Sequence, residues 1–240
     1  MPPTYQSVSK NVLLTGFEPF GGDKVNPSEL VVKSMEGRLI AGRTIVTRVL
    51  PVETRTLRAR LEEEIARSRP EMILLTGQAG GRGAIALERI GINLLHFEHA
   101  DNVGVKKNND PIAKGGPEAL LASLPLDKIV EIWHENGIPS NVSNSAGTFI
   151  CNQALYETLM LTAAHAPPIL VGFVHFPFLP LQAIERGSEH VPSMSLDLMK
   201  KAIEILVETV VPWLESRPED HTAKPAANLW IPRGLKEAER

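Results

Sequence analysis

Short runs of almost wholly apolar residues recur along this 240-residue chain, and they constrain its fold more than any other feature. Three of them cover residues 11–17 (NVLLTGF), 71–77 (EMILLTG) and 169–176 (ILVGFVHF). Each run has the length of one strand and lacks the alternation of apolar and polar side chains that a half-exposed strand has. Strands of this kind are typical of a parallel sheet that helices cover on both faces.

Helical patterns separate these runs. Within residues 53–69, Leu57, Leu61 and Ile65 recur every four residues and form one apolar face. Asn26 followed by Pro27 has the chemistry of a helix start, since Asn caps well and Pro fits the first helical position. The alternation of strands and helices predicts an α/β protein, a three-layer α/β/α sandwich with a largely parallel, mixed central sheet.

The boundaries of the predicted domain follow from composition. We expect a loose lead-in over residues 1–10, a single α/β domain over residues 11–215, and a polar, proline-containing tail over residues 216–240. Two segments inside the domain are harder to assign. Residues 86–95 alternate like one continuous strand, and residues 115–136 read as helical with a break at Pro125.

Composition excludes several classes of function. The net charge of −3 gives no basic footprint for nucleic acid, and no apolar stretch has the roughly 20 residues that cross a bilayer. No signal-peptide pattern is evident at the N-terminus. A single cysteine rules out an internal disulfide and fits a reducing compartment. We therefore expect a cytoplasmic protein with no membrane or nucleic-acid partner.

That single cysteine, Cys151, lies in the stretch of the sequence that most strongly indicates a catalytic site. Residues 143–156 (SNSAGTFICNQALY) change from small polar residues to a helical run near the thiol. A helix N-terminus carries partial positive charge, which lowers the pKa of a thiol and favours the nucleophilic thiolate. The alternative is that Cys151 is a small, buried, structural hydrophobe.

Two further residues complete a possible catalytic set. His175 lies at the C-terminal end of an apolar strand, where ligands bind in open α/β sheets. Glu88 falls on an apolar strand face, where a carboxylate is costly unless it is paired or used. A histidine satisfied within the core, and a salt bridge from Glu88 to Arg82 or Arg89, are the structural alternatives.

The glycine-rich turn at residues 77–83 (GQAGGRG) follows a strand, as a phosphate-binding turn does. Such a turn binds phosphate only when a helix starts directly after it, and here a strand is predicted instead. The glycines therefore indicate close approach of the backbone to a substrate or another strand. His96, His99 and Asp101 match no established metal-ligand spacing, so the two histidines read as surface residues.

The motifs around these residues resemble those of the pyroglutamyl peptidase I family, also called pyrrolidone-carboxylate peptidase. The similar segments, in the family's own order within residues 11–211, are LLTGFEPFGG at 13–22, NPS at 26–28, GQAGGR at 77–82, ERI at 88–90, IN at 92–93, SAGTFICN at 145–152 and GFVHFPFLP at 172–180. An ordered set of this length is much more specific than any single motif.

The resemblance implies a cytosolic α/β/α cysteine peptidase, often a tetramer, that uses no metal or other cofactor. It implies that Cys151 is the nucleophile, His175 the base and Glu88 the acid that orients it. The substrate would be a peptide with N-terminal pyroglutamate, whose small lactam needs a mostly apolar pocket with a few hydrogen-bonding groups. Residues beside the signature turns that suit such a pocket are Phe17, Phe20, Gln78 and Phe149, although core packing would also explain the phenylalanines.

The sequence also departs from the family pattern. Glu98 stands where the family commonly has arginine, which predicts an altered rate or specificity. The second oxyanion donor stays open between Arg89 and a backbone amide after Gly80. Two other functions stay open at this point: a nucleoside phosphorylase-like transferase on a related α/β scaffold, and a non-catalytic binding protein.

Overall fold

The computed structural model describes residues 10–187 and 190–216. Apart from Lys10 and Ser216, the lead-in and tail predicted from the sequence lie outside these residues. The elements in chain order are β1 (Asn11–Phe17), α1 (Pro27–Met35), β2 (Leu39–Ile40), β3 (Arg43–Leu50), α2 (Leu57–Ser68), β4 (Met72–Gln78), β5 (Ile85–Glu88), β6 (Ile90–Ile92), β7 (Leu95–His96), β8 (Asn108–Asp110), β9 (Ala119–Leu121), α3 (Leu126–Glu135), β10 (Ser140–Ser143), α4 (Ile150–Thr162), β11 (Leu170–Phe176), α5 (Pro180–Glu185) and α6 (Leu196–Glu215).

A seven-stranded sheet forms the centre, with the strand order β10-β5-β11-β4-β1-β3-β2. Four neighbouring pairs are parallel, namely β10 with β5, β11 with β4, β4 with β1, and β1 with β3. The pair β5–β11 and the edge pair β2–β3 are antiparallel. The prediction of a largely parallel, mixed sheet is confirmed.

Helices cover both faces of this sheet. Apolar side chains of α1, α3 and α6 pack with one face in a single cluster, in which Trp133 is completely buried and donates its indole N–H to the Ala202 carbonyl at 2.8 Å. Helices α2 and α4 contribute to a second cluster on the other face. The α/β/α layering therefore follows the sequence prediction, and α4 brings Cys151 to the second face. No helix within residues 10–187 and 190–216 is long and apolar enough to cross a membrane.

The start of α1 confirms the capping signal in the sequence. Asn26 is the N-cap, and its side chain accepts a hydrogen bond from the Ser28 amide at 3.0 Å. Pro27 is the first helical residue. Its missing N–H costs nothing there, because the first amides of a helix have no partner within the helix.

The prediction of one strand over residues 86–95 is wrong. β5 ends at Glu88, and β6 leaves the main sheet to pair with β9. The reason is a close packing contact with α4: a side-chain carbon at Gly91 would lie 3.0 Å from the Tyr156 amide nitrogen. The alternating pattern is the same in either sheet, so the sequence could not distinguish them.

The helical prediction for residues 115–136 is also only half correct. Helix α3 occupies Leu126–Glu135, whereas Ala119–Leu121 is the extended strand β9. β9 pairs antiparallel with β6. Pairing with a distant segment therefore overrides a local helical pattern.

Candidate active site

Three neighbouring strands and one helix bring the candidate residues together. Glu88 is the last residue of β5, and His175 is the next-to-last residue of β11. Across the antiparallel pair, Glu88 lies opposite Phe173, two positions before His175. Side chains alternate between the faces of a sheet, so Glu88, Phe173 and His175 share one face. The antiparallel direction of β5 therefore places the acid diagonally across from the imidazole, inside the sheet rather than at its edge.

A buried hydrogen bond joins the histidine to the acid. His175 Nδ1 lies 2.8 Å from Glu88 Oε1. The Glu88 side chain is completely buried, and that of His175 is 4% exposed. The Phe173 ring packs against the imidazole, with centroids 4.6 Å apart. Because a carboxylate only accepts hydrogen bonds, the proton of the neutral ring is on Nδ1, and Nε2 keeps a free lone pair.

Cys151 is the second residue of α4 and lies over the same strands. A side-chain carbon at Gly77 would come within 2.8 Å of the Cys151 Sγ and 3.0 Å of the Phe173 ring. Gly77 is the parallel-register neighbour of His175. The thiol therefore occupies the space above Gly77, beside the strand that carries the imidazole.

The environment raises the pKa of the thiol. Desolvation is the largest cause, the negative charge of Glu88 adds to it, and the pKa of Cys151 rises to about 12. The sequence predicted a lowered thiol pKa at this helix end, and the structure contradicts that prediction. Burial in a low-dielectric site disfavours the thiolate more than the partial charge of the helix N-terminus favours it. Cys151 therefore needs a base to remove its proton.

The other two groups have pKa values that suit a base and its orienting acid. Burial lowers the pKa of His175 below its ordinary value, although Glu88 acts in the opposite direction, so the ring is neutral near pH 7. Burial alone would raise the pKa of Glu88, but the hydrogen bond and charge of His175 and the nearby Ser143 and Arg82 side chains hold it below the ordinary value. Glu88 is therefore ionised while His175 is free to accept a proton.

A small pocket opens beside the thiol. Its empty space is about 210 Å³, including the open mouth. The lining residues are Phe17, Phe20, Asn26, Val52, Gln78, Phe149, Ile150 and Cys151. The four pocket residues predicted from the sequence thus lie together around Cys151. The walls are mainly aromatic and aliphatic, with the amides of Gln78 and Asn26 as polar groups.

The Gln78 amide is held in one orientation by residues that sequence reasoning missed. Its Nε2 donates to Asp23 Oδ2 at 2.7 Å, and its Oε1 accepts from Gln182 Nε2 at 2.8 Å. Asp23 lies in a turn-rich stretch, where an aspartate is ordinary, and Gln182 lies on the short helix α5, which is not among the elements predicted from the sequence. Neither residue therefore carried a signal of its own.

The remaining sequence candidates occupy different surroundings. A side-chain carbon at Gly80 would overlap the Phe178 ring at 1.9 Å, and β5 rather than a helix follows the glycine turn. The glycine therefore serves close packing. Arg89 points to α3, where its guanidinium lies 3.7 Å from Asp127. Glu98 is exposed.

The described residues contain no group of three or more His, Cys, Asp or Glu that could hold a metal ion.

Together, the fold and this cluster define the class of protein. A thiol, a neutral imidazole and a buried carboxylate that orients the imidazole are the components of a cysteine hydrolase. Here they lie on one face of an α/β sheet, beside a small apolar pocket.

Comparison with known proteins identifies the family. The pyroglutamyl peptidase family model matches residues 10–212. The pyrrolidone-carboxylate peptidase of Thermococcus onnurineus is 41% identical over 198 residues, which are 82% of this chain and 97% of that protein. The enzyme of the same name from Bacillus mycoides is 44% identical over 200 residues, covering 83% of this chain and 92% of the relative.

Solved structures agree with the sequence match. A variant of the pyrrolidone carboxyl peptidase of Pyrococcus furiosus superposes with a TM-score of 0.82 at 38% identity, covering 85% of this chain and 99% of that one. The pyrrolidone carboxyl peptidase of Thermococcus litoralis gives a TM-score of 0.83 at 35% identity, covering 85% and 94%. The chain belongs to the pyroglutamyl peptidase family, and the resemblance read from its motifs is confirmed.

Proposed function

We propose that this protein removes N-terminal pyroglutamate from peptides through a thioester on Cys151, with His175 as the base and Glu88 as the acid that orients it. Membership of the pyroglutamyl peptidase family supports the reaction. The observation that carries the residue assignment is the 2.8 Å bond between His175 Nδ1 and Glu88 Oε1, on the sheet face where Cys151 lies over Gly77.

The raised thiol pKa defines what His175 has to do. As Cys151 Sγ attacks the carbonyl that links pyroglutamate to the next residue, His175 Nε2 takes the thiol proton. The tetrahedral intermediate collapses with loss of the peptide amine, to which His175 returns that proton. Water, activated by the same nitrogen, then hydrolyses the thioester and releases pyroglutamate. Glu88 stays ionised and stabilises the imidazolium in both steps.

The first turn of α4 supplies donors for the oxyanion. Its N-cap is Phe149, whose side chain caps no backbone N–H. The first amides of the helix, including that of Cys151, have no acceptor within the helix and point toward its N-terminal end. This arrangement supports the Cys151 amide as an oxyanion donor. The pairing of Arg89 with Asp127 favours a second backbone amide over the Arg89 side chain.

The pocket suits an uncharged five-membered lactam. Phe17, Phe20 and Phe149 offer apolar walls for the ring, and Phe20 and Phe149 pack together with centroids 6.0 Å apart. The fixed Gln78 amide is the polar group beside them. A site built to hydrogen-bond the lactam carbonyl would strongly reject proline, which lacks that carbonyl, because a buried donor would stay unpaired.

We also propose that the protein is cytoplasmic and works as a homo-oligomer, with a tetramer as the expected state. A lone cysteine that must stay reduced for catalysis supports a reducing compartment. Two large apolar side chains on α5, Leu181 and Ile184, are 59% and 73% exposed, which supports contact with another copy. Light scattering on the purified protein measures this state directly.

Release of a chromophore from a pyroglutamyl amide tests the function. We expect Cys151→Ala to abolish turnover and His175→Ala to come close to that, each by more than about a thousandfold. Glu88→Gln keeps the shape but loses the charge, and we expect roughly a thousandfold loss with measurable residual activity. Iodoacetamide should inactivate the wild type, and the matched prolyl amide should not be cleaved.

The control is His165→Ala, which removes an exposed histidine just after α4. It should keep wild-type turnover. Full activity in Cys151→Ala would contradict the thiol mechanism, and a protein that cleaves no pyroglutamyl amide would contradict the proposed function.

A further inference from the structure

Arg82 lies in the glycine-rich turn and reaches the buried acid from the solvent side. Its Nη1 donates to Glu88 Oε1 at 2.9 Å. The same oxygen atom lies 2.8 Å from His175 Nδ1. The Arg82 side chain is 38% exposed, whereas that of Glu88 is completely buried. A partly solvated cation therefore shares one acceptor atom with the imidazole of the active site.

The charges of the reacting state explain why a cation is useful there. When the thiol proton moves to His175, the cluster consists of a thiolate, an imidazolium and a carboxylate, with a sum of −1. A net charge in a desolvated site is costly. Arg82 brings the sum to zero. It does so without taking up a lone pair of His175 Nε2, the atom that accepts the proton.

We propose that Arg82 is a positioning residue that keeps Glu88 ionised and balances the charge of the thiolate–imidazolium state. The inference rests on the proposed function, because it takes Cys151, His175 and Glu88 as the reacting group. Arg82 itself touches Glu88 and acts on the other two through its charge. The sequence left a salt bridge from Glu88 to Arg82 or Arg89 as the structural alternative; the Arg82 pair is present, and the proposal gives it a role in the reacting state.

The effect of removing the charge can be worked out for each neighbouring group. The groups that face Glu88 are His175 on β11, Ser143 on β10 and Arg82. Burial has the largest effect on both pKa values: it raises that of Cys151 and lowers that of His175. The positive charge of Arg82 lowers both pKa values. Loss of Arg82 therefore raises both pKa values. Thiolate formation and catalysis then need a higher pH.

Alkylation of the thiol is the most direct test. Cys151 is the only cysteine in the chain, so iodoacetamide incorporation measured by mass spectrometry reports on this thiol alone. For Arg82→Gln we expect the rate at pH 7 to fall about tenfold and the pH profile to move up by about one unit. Arg82→Lys restores the charge and should recover most of that shift. Arg82→Met, which has no hydrogen-bonding head group, should behave like Arg82→Gln.

Arg60→Gln is the matched control. It removes the same charge from α2, where Arg60 is exposed and pairs with Glu63. Its labelling profile should superpose on that of the wild type. In turnover assays, Arg82→Gln should move the acid limb of kcat/KM to higher pH and leave KM unchanged.

Two results would overturn the proposal. One is a labelling profile of Arg82→Gln that superposes on the wild type. The other is a uniform loss at every pH with no shift, which is the signature of a purely structural role. Circular dichroism melts confirm that each variant is folded. Labelling requires no substrate, so it tests the effect of Arg82 on the thiol even if the protein were to cleave no pyroglutamyl amide.

Discussion

Gly77 lies where the sheet comes close to the thiol of Cys151. Its lack of a side chain leaves room for the thiol of Cys151 above β4. Gly77→Ala would put a methyl group 2.8 Å from the Sγ and 3.0 Å from the Phe173 ring. The Phe173 ring is fully buried, so the added methyl group would displace the thiol.

We expect Gly77→Ala to lower kcat/KM by about a hundredfold, because a displacement of about 1 Å at a reacting atom costs this much. Steady-state kinetics on a pyroglutamyl amide measures the effect. The control is Gly83→Ala, where the new methyl group would make an ordinary 3.6 Å contact with Pro192. Equal activity in the two variants would show that the thiol does not depend on this space.

The pH dependence of activity follows from His175. Burial lowers the pKa of the imidazole below its ordinary value. Only the neutral ring accepts a proton, so activity falls as the pH drops through this lowered pKa. We expect the acid limb of kcat/KM to have its midpoint below about pH 6.5. A midpoint above pH 7 would contradict the neutral, buried imidazole.

Helix α4 carries other residues that hold the site, besides Cys151. Asn152, next to Cys151, accepts from the Ile92 amide at 2.9 Å and donates to the carbonyls of Ile92 and Leu94. Gln153 exchanges hydrogen bonds with Thr54, which precedes α2. The first turn of α4 is therefore fixed from both sides. Neither role could be predicted from the sequence, since each partner is more than 50 residues away.

One turn further along α4, Glu157 is a buried carboxylate with little support. Burial is the main reason that the pKa of Glu157 rises to about 7. The hydrogen bond from Gln153 and the charge of Arg58 lower this pKa in part, and the charge of Glu62 raises it. Its Oε2 has no hydrogen-bond partner among the described residues. A raised pKa means that the folded state binds a proton more tightly than the unfolded state. Stability is therefore lost as the pH rises from about 4.5 through about 7.

Glu157→Gln should remove this loss. We expect the variant to be more stable than the wild type by about 2 kcal/mol at pH 8 and by almost nothing near pH 4.5. Urea unfolding at the two pH values measures the difference. Glu63→Gln, on the exposed face of α2, is the control and should change little at either pH. A gain of the same size at both pH values would contradict a buried ionisation as its cause.

The loop between β7 and β8 joins parts of the chain that are far apart. Asp101 is 5% exposed, and its carboxylate accepts from the amides of Thr54, Val103 and Val105 at 2.8–3.1 Å. Asn102 donates to Glu18 after β1 at 2.7 Å. In the same loop, Phe97 packs edge-on against Phe149, a pocket wall, with centroids 4.6 Å apart. The loop therefore supports one side of the pocket.

Asp101→Ala should weaken this support. The buried Thr54 amide loses its partner, so we expect about 2 kcal/mol of destabilisation, a higher KM and faster proteolysis within residues 97–114. Asp110→Ala removes a partly exposed carboxylate at the end of β8 that pairs with Lys107 at 3.4 Å, and it should cost less than about 0.5 kcal/mol. Equal effects of the two changes would mean that the buried contacts of Asp101 do not hold the loop.

The sequence alone determined the class of fold and the family, and it predicted which side chains react. Buried strands need continuous apolar runs, and helix starts need capping residues. A nucleophile needs a base and an acid. Each of these features can be recognised from the types of residue in a short segment. The motif order was sufficient to indicate the peptidase family, which the comparisons confirmed. The catalytic roles remain predictions with a defined test.

Only the tertiary structure decided how those residues meet. β5 runs antiparallel to β11, which places Glu88 diagonally across from His175. The tertiary structure also moved β6 out of the main sheet and surrounded Cys151 with enough protein to raise its pKa instead of lowering it. Strand direction, desolvation and the contact between Glu88 and His175, which lie 87 residues apart, depend on distances between segments remote in sequence, which no local pattern encodes.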